Sequence, residues 1–194
     1  VEVPLLTITN FYDKVPQIKK KVRIITGRIH PGETNSSYIL HGLIRWLISS
    51  DKVAIEIRNR IVFKIIPMLN IDGVIVGNNR TSFIGRDVNR CFIQPNPKLT
   101  PELSSIKEMI KEMLNLDPNR ILAYIDIHAH SGRKSSFMYG PYYPLHSRKY
   151  LKIRMLPKLL SERTDIFRYF SCKFRIEKYK EGCARISLWR EFNI

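Results

Sequence analysis

Residues 22–50 read VRIITGRIHPGETNSSYILHGLIRWLISS, and this stretch decides the fold class. Its first part, Val22–Ile29, is rich in β-branched residues and runs into His-Pro-Gly, which is a turn signal. Its second part, Thr34–Ser50, carries leucine and isoleucine at helical spacing, so it predicts a helix with one buried face. A strand followed directly by a helix is the repeating unit of α/β proteins.

The same alternation continues along the chain. Arg60–Leu69 predicts a second strand, and Pro101–Leu116 predicts an amphipathic helix with proline near its start. Ile121–His128 is nearly all apolar, which is typical of a strand in the middle of a covered sheet. We therefore predict an α/β protein with a three-layer α/β/α fold and a mostly parallel, mixed central sheet.

Further elements are predicted near both ends of the chain. A helix is expected within His146–Arg163, interrupted near Pro157, and a final strand is expected at Ala184–Glu191. Val1–Thr9 is strand-like from its first residue. Because the sequence offers nothing to cover these terminal strands, 1–194 is interpreted as a single, partial domain that is incomplete at its C-terminus.

Composition narrows the class of protein. The hydrophobic fraction of 44% and the charged fraction of 26% are ordinary for a globular domain, and no apolar run approaches the roughly 20 residues that cross a bilayer. Three cysteines without a CxxC pair argue against a disulfide framework and against a cysteine zinc site. The formal net charge of +16 favours an acidic partner, although a lysine-rich genome gives the same bias.

A candidate metal-binding pair lies where the first strand meets the helix. His30 and Glu33 stand three positions apart at the end of a strand, where α/β proteins collect their ligands. Catalytic zinc takes three protein ligands and leaves a fourth position for water, so a third ligand must come from elsewhere. The two residues alone are a short motif that also arises by chance.

The third ligand is ambiguous from the residues alone. Strand alternation places Asp126, His128 and His130 on one face, and either histidine is eligible. His41 and His146 fall on a predicted helix or loop and are interpreted as surface residues.

A polar loop follows the second predicted strand. Within it, Asn89 and Arg90 offer an amide and a planar guanidinium, which suit a substrate carboxylate. Asp87 either contributes to the same loop or orients a metal-binding imidazole. Arg80, a little upstream, is a cation that can stabilise an oxyanion. Taken one at a time, each is better explained as a polar residue of a solvated loop.

Several segments together resemble one family, the cytosolic carboxypeptidases. This is the branch of zinc carboxypeptidases associated with removing glutamates from tubulin and other acidic tails. The matching segments, in chain order, are HPGETNSS (30–37), IPMLNIDGVIVGNNR (66–80), GRDVNR (85–90), YIDIHAHSGRKSSFMYG (124–140) and CKFRIEKYKEGCARISLWRE (172–191).

The resemblance implies a metal site. It implies that His30, Glu33 and His128 bind one zinc ion, which selects His128 over His130. It also implies that Asp87 supports a zinc-bound histidine.

The resemblance further implies how a substrate is held. Asn89 and Arg90 are expected to grip its C-terminal carboxylate, and Arg80 to polarise the scissile carbonyl as a catalytic residue. Arg133 and Lys134 are expected to bind acidic substrate side chains.

Two departures from the family matter. The usual Asn-Pro-Asp-Gly turn reads Asn70-Ile71-Asp72-Gly73, which is expected to loosen the turn and leave the ligands untouched. The family's general-base glutamate follows the stretch matched by Trp189–Glu191, and the chain stops at Ile194. We therefore expect the 194-residue chain to be inactive alone and to bind zinc weakly at best.

The resemblance implies a metallocarboxypeptidase that acts on acidic protein tails such as those of tubulin. The expected location is the cytoplasm, including microtubules and the cilium or axoneme, without a membrane or nucleic-acid partner. The main alternative is a non-enzymatic microtubule- or axoneme-associated protein with the same fold. A zinc amidohydrolase of small acyl-amino acids and a nucleic-acid-binding protein are the remaining alternatives, and the latter lacks a recognisable recognition module.

Overall fold

The structure, a computed structural model, describes residues 2–194, so Val1 of the predicted strand 1–9 lies outside it. The described residues divide into two compact units, residues 2–129 with Ile194, and residues 130–193. Among the described residues, no helix combines the length and the apolar character that a membrane span requires. The expectation of a single partial domain stays a prediction.

The first unit is built on a four-stranded sheet with the order β1-β3-β2-β4. Its strands are β1 (Leu6–Ile8), β2 (Lys21–Gly27), β3 (Ile61–Ile66) and β4 (Ile121–Ile127). β2 runs parallel to both β3 and β4, and β1 pairs with β3 in the antiparallel direction. The predicted mostly parallel, mixed sheet is therefore confirmed.

The position of β4 differs from the prediction. Within the described residues β4 pairs with β2 alone and lies at an edge of the sheet, and its Leu122 is 49% exposed. An apolar run indicates that a strand is covered on its faces, but it carries no information about which strands flank it. The prediction of a central position was therefore wrong for the described residues.

Helices follow the strands of the first unit, as expected for an α/β chain. They are α1 (Asn35–Leu47), α2 (Lys52–Arg60), α3 (Ile71–Ile75) and α4 (Pro101–Leu116). The predicted α1 and α4 are confirmed, whereas α2 and α3 were not predicted. Each of the two is introduced by a side-chain cap: Asp51 accepts hydrogen bonds from Val53 N and Ala54 N, and Asn70 accepts one from Gly73 N. These short helices lack the long apolar periodicity on which a prediction depends.

An apolar cluster joins α1 to the sheet. Its members are 5% exposed or less: Ile25, Leu40, Leu47, Phe63 and Ile65. Burial of this kind stabilises the fold by about 25 cal/mol for each Å² of apolar surface removed from water. Because side chains alternate along a strand, Thr26 of β2 lies on the opposite face from Ile25. Asp126 of β4 is the register partner of Thr26, so it lies on that opposite face as well.

The second unit contains α5 (Arg148–Arg163) and α6 (Ala184–Phe192). α5 runs without interruption through Pro157, so the predicted break was wrong. A proline inside a helix removes one backbone hydrogen bond and crowds the preceding turn, but Pro157 is buried and the helix continues through it.

The predicted final strand Ala184–Glu191 is instead the helix α6, and this prediction was wrong. Ala184, Ile186 and Leu188 alternate along the chain, a spacing that a strand would also show. Ser187 is also buried, however, and buried positions 184, 187 and 188 share one face of a helix.

Candidate metal centre

The His30–Glu33 turn is fixed against a second loop. Gly32 N donates a hydrogen bond to Asn79 O at 2.7 Å, and a Cβ at position 32 would lie 2.8 Å from the same backbone oxygen. Only glycine allows this close approach of the two backbones. Glu33 N donates to His30 O at 3.1 Å and tightens the turn, so both side chains leave it in a defined direction.

Three potential ligand groups converge at the carboxyl ends of β2 and β4. His30 Nδ1 lies 2.8 Å from Glu33 Oε1, and His128 Nδ1 lies 2.9 Å from Glu33 Oε2. The two Nδ1 atoms are 3.2 Å apart. Glu33 is held in addition by the Ala129 amide, which donates to Oε2 at 2.9 Å. β2 and β4 are neighbouring parallel strands, and this explains why residues distant in sequence meet here.

The outer nitrogen of each imidazole is held by a different carboxylate. His30 Nε2 lies 3.1 Å from Asp87 Oδ1, and His128 Nε2 lies 2.8 Å from Asp126 Oδ2. Both Nδ1 atoms are therefore directed inwards, toward Glu33. Carboxylate partners of this kind fix the tautomer and the ring orientation of metal-binding histidines.

The cluster is strongly coupled electrostatically. Burial opposes protonation of His128, but Asp126 and Glu33 outweigh it and raise the pKa of His128 to about 10. Burial likewise opposes protonation of His30, yet hydrogen bonds with Asp87 and Glu33 raise its pKa above the usual value. Burial disfavours the ionised carboxylates, but His128 and His30 hold the pKa of Glu33 well below its usual range. His30, Arg80 and Arg90 likewise lower the pKa of Asp87 to about 2. The histidines and the carboxylates of the cluster therefore stabilise one another's charged forms.

The donor set fits a zinc ion. Among the described residues, one cluster of histidine, cysteine, aspartate or glutamate side chains could bind a metal ion. It consists of His30, Glu33 and His128, whose ligand atoms all lie within 4.8 Å of one another. Two imidazoles and one carboxylate are a ligand set of catalytic zinc, with a fourth position left for water. Tetrahedral ligands about 2.1 Å from zinc lie roughly 3.4 Å apart, so the observed spacing needs only a small expansion.

The predicted substrate-binding residues surround Asp87. Arg80 Nη2 lies 2.8 Å from Asp87 Oδ2, and Arg90 Nη1 lies 3.9 Å from the same oxygen. Asn89 is buried on the 3-10 turn Val88–Arg90, and its Nδ2 lies 3.4 Å from His128 Nε2. The structure thus brings these residues next to the candidate ligands, and their roles toward a substrate stay predictions.

Other predicted residues belong to the second unit or to the surface. His130 Nδ1 accepts a hydrogen bond from Gly132 N at 3.1 Å, and its ring packs edge-on against Phe137. Arg133 and Lys134 are exposed residues of the second unit, and their role toward an acidic substrate stays a prediction. The remaining histidines, His41 and His146, are exposed as expected.

Asp126 is the residue that sequence reasoning missed. It was placed on the same strand face as His128 but given no function. The signal was available: a carboxylate two positions before a ligand on a strand lies beside that ligand.

Comparison with known proteins agrees with the geometry. Residues 5–189 match the family described as zinc carboxypeptidase. The chain is similar to cytosolic carboxypeptidase 6 of Homo sapiens, with 41% identity over 95% of this chain and 36% of that protein. It is also similar to cytosolic carboxypeptidase 2 of Mus musculus, with 42% identity over 97% of this chain and 22% of that protein.

A solved structure shows the same fold. The metallo-carboxypeptidase of Burkholderia cenocepacia superposes with a TM-score of 0.80 at 23% identity, covering 97% of this chain and 49% of that one. The chain spans about a third or less of the curated relatives described above. Since the family match extends over nearly all of the chain, and since its Glu33 and two histidines converge as zinc ligands do, the chain belongs to the zinc carboxypeptidase family.

Proposed function

We propose that this chain forms the metal-holding part of a zinc metallocarboxypeptidase that removes glutamates from acidic protein tails. The observation that carries the proposal is the convergence of His30 Nδ1, Glu33 and His128 Nδ1. Family membership supports the hydrolytic activity, and the similarity to cytosolic carboxypeptidases supports a cytoplasmic protein.

The bound zinc ion would polarise the scissile carbonyl and activate a water molecule. His30, Glu33 and His128 hold the metal. Asn89 and Arg90 bind the terminal carboxylate of the substrate, because an amide and a guanidinium donate hydrogen bonds to it together. These two residues lie beside Asp87, within reach of the ligands.

Arg80 stabilises the negative charge that develops on the carbonyl oxygen. Its guanidinium bonds to Asp87, and its side chain is half exposed. An exposed side chain turns with little cost, so Arg80 remains available to a substrate.

Proton transfer requires a further carboxylate. Glu33, Asp87 and Asp126 each contact a ring nitrogen of His30 or His128, so this proposal gives them the task of holding the zinc or its ligand histidines. The family resemblance assigns the general base to a glutamate that follows the segment matched by Trp189–Glu191. We therefore propose that residues 1–194 alone hydrolyse no peptide.

The proposed substrates are glutamate-rich tails or side chains, with tubulin first. The formal net charge of +16 supports this choice, because a positive field attracts polyanionic chains and speeds their association. In this proposal Arg133 and Lys134 contact acidic substrate side chains, and the protein works at microtubules, including those of cilia.

The proposal is tested with two tubulin-tail peptides that differ only at their C-termini. One ends in a run of glutamates and the other ends in a run of glutamines. We expect the full-length protein with zinc to release glutamate and to favour the first peptide by at least about tenfold in kcat/KM. Residues 1–194 alone should release nothing. Released amino acid is measured by mass spectrometry.

Each alternative has its own outcome. Equal rates on both peptides would contradict the acidic-substrate proposal, and hydrolysis by residues 1–194 would contradict the need for a later base. Microtubule binding without any hydrolysis by the full-length protein would favour the non-enzymatic alternative.

A further inference from the structure

The strand pair that carries His128 also carries a line of polar side chains. Tyr124, Asp126 and His128 alternate along β4 and its end, so they share one face. Thr26 of β2 is the register partner of Asp126. Parallel pairing of these two strands therefore places a hydroxyl beside a carboxylate. Both lie on the side of the sheet opposite the apolar cluster that joins α1 to the sheet.

The hydroxyls and the carboxylate are connected by short contacts. Thr26 Oγ1 donates to Asp126 Oδ1 at 2.8 Å, and Thr26 is fully buried. The Tyr124 and Thr26 hydroxyl oxygens lie 3.2 Å apart. The other oxygen of Asp126 faces His128 Nε2 at 2.8 Å. Both Asp126 oxygens are thus committed, one to each neighbour.

The direction of these hydrogen bonds follows from the number of protons. A threonine hydroxyl has one proton, and Thr26 gives it to the carboxylate, which can only accept. Tyr124 must then donate to Thr26, and Nε2 of His128 must carry a proton to bond to Asp126. That arrangement leaves the Nδ1 lone pair of His128 for the metal.

We propose that Tyr124, Thr26 and Asp126 form a positioning relay that fixes the tautomer and ring orientation of His128 for zinc binding. The inference deepens the proposed function, because it rests on His128 being a ligand. It assigns to Asp126 the same task for His128 that Asp87 has for His30. None of the three relay residues contacts the substrate or the metal in this proposal, so they are positioning residues.

The relay is tested by measuring zinc affinity in the full-length protein by chelator competition. Asp126→Ala should weaken zinc binding by about 10–100-fold. Thr26→Val keeps the side-chain shape and removes only the hydroxyl, and it should weaken binding by roughly 2–10-fold. Thr26→Ser restores the hydroxyl and should bind zinc as the unsubstituted protein does.

Matched controls separate this role from a loss of stability. Thr9 is buried in the same unit and donates to Arg58 O at 2.9 Å, so Thr9→Val removes a comparable hydrogen bond away from the site. Thr9→Val and Thr26→Val should lower the melting temperature of the zinc-free protein by similar amounts, but only the latter should change zinc affinity. Asp117→Ala removes a carboxylate that precedes β4 and bonds to Lys21, and it should leave zinc affinity unchanged.

Two results would overturn the inference. Zinc affinity within twofold of the unsubstituted protein in both Asp126→Ala and Thr26→Val would exclude the relay. Absence of zinc binding by the unsubstituted protein would overturn the ligand assignment and the relay with it. If the Asp126 and Thr26 variants lose zinc affinity as expected but the unsubstituted protein hydrolyses no peptide, the relay is supported and the proposed carboxypeptidase activity is contradicted. Failure of the relay and failure of the proposed function are therefore distinguishable.

Discussion

Replacing His30 with alanine in the full-length protein should abolish stoichiometric zinc binding and lower peptide hydrolysis by about 10³-fold or more. A bound metal contributes several kcal/mol to carbonyl polarisation and water activation, and each 1.4 kcal/mol corresponds to tenfold in rate. His30 is 4% exposed and its Nδ1 is one of the three converging ligand atoms. His30→Ala leaves Glu33 and His128 of the three converging ligand groups, one fewer than a catalytic zinc site uses.

His41→Ala provides the matched control for this experiment. It removes an imidazole of the same size from the exposed surface of α1 and should change neither zinc content nor rate. Zinc content is measured by atomic absorption after dialysis, and hydrolysis is measured on a glutamate-ended peptide. Retained hydrolysis in His30→Ala would remove the zinc assignment.

Replacing Arg80 with alanine should lower kcat by roughly 10²–10³-fold with a smaller change in KM. This is the usual loss when a donor to a developing oxyanion is removed, because the interaction strengthens only in the transition state. Arg80→Lys keeps the charge without the planar fork and should recover part of the rate.

Arg80 also bonds to Asp87, so a second measurement separates its two contacts. Zinc affinity of Arg80→Ala should stay close to normal, because Asp87 keeps its 3.1 Å contact with His30 Nε2. Arg86→Ala is the control, since Arg86 is an exposed arginine of the same loop. A loss of zinc that parallels the loss of rate would show that Arg80 acts through Asp87 and not on the substrate.

Most of the metal site could be predicted from sequence, because each candidate ligand is marked by a short local pattern. His30 and Glu33 belong to one turn, and strand alternation limited the third ligand to His128 or His130. Residues alone left those two open, because the choice depends on where the chain turns after β4. In the structure the Ala129 amide donates to Glu33, and His130 already bonds to Gly132.

The errors in the fold have a common cause. A hydrophobic sequence pattern indicates which residues are buried, but it does not show which strands or helices bury them. Ile121–His128 reads as apolar whether it lies in the centre or at an edge, and Ala184–Glu191 alternates although its buried residues also share a helical face. Register is equally hidden from sequence, and register is what sets Thr26 beside Asp126.

The edge position of β4 has a consequence for the colloidal behaviour of the protein. A strand edge without a partner, as β4 has among the described residues, is a template on which a second molecule can add a strand, and the exposed Leu122 adds apolar surface on a face next to it. The formal net charge of +16 opposes such stacking, because like-charged copies repel one another. Added salt screens that repulsion within about 10 Å at 0.1 M, so solutions of residues 1–194 should become turbid as ionic strength rises.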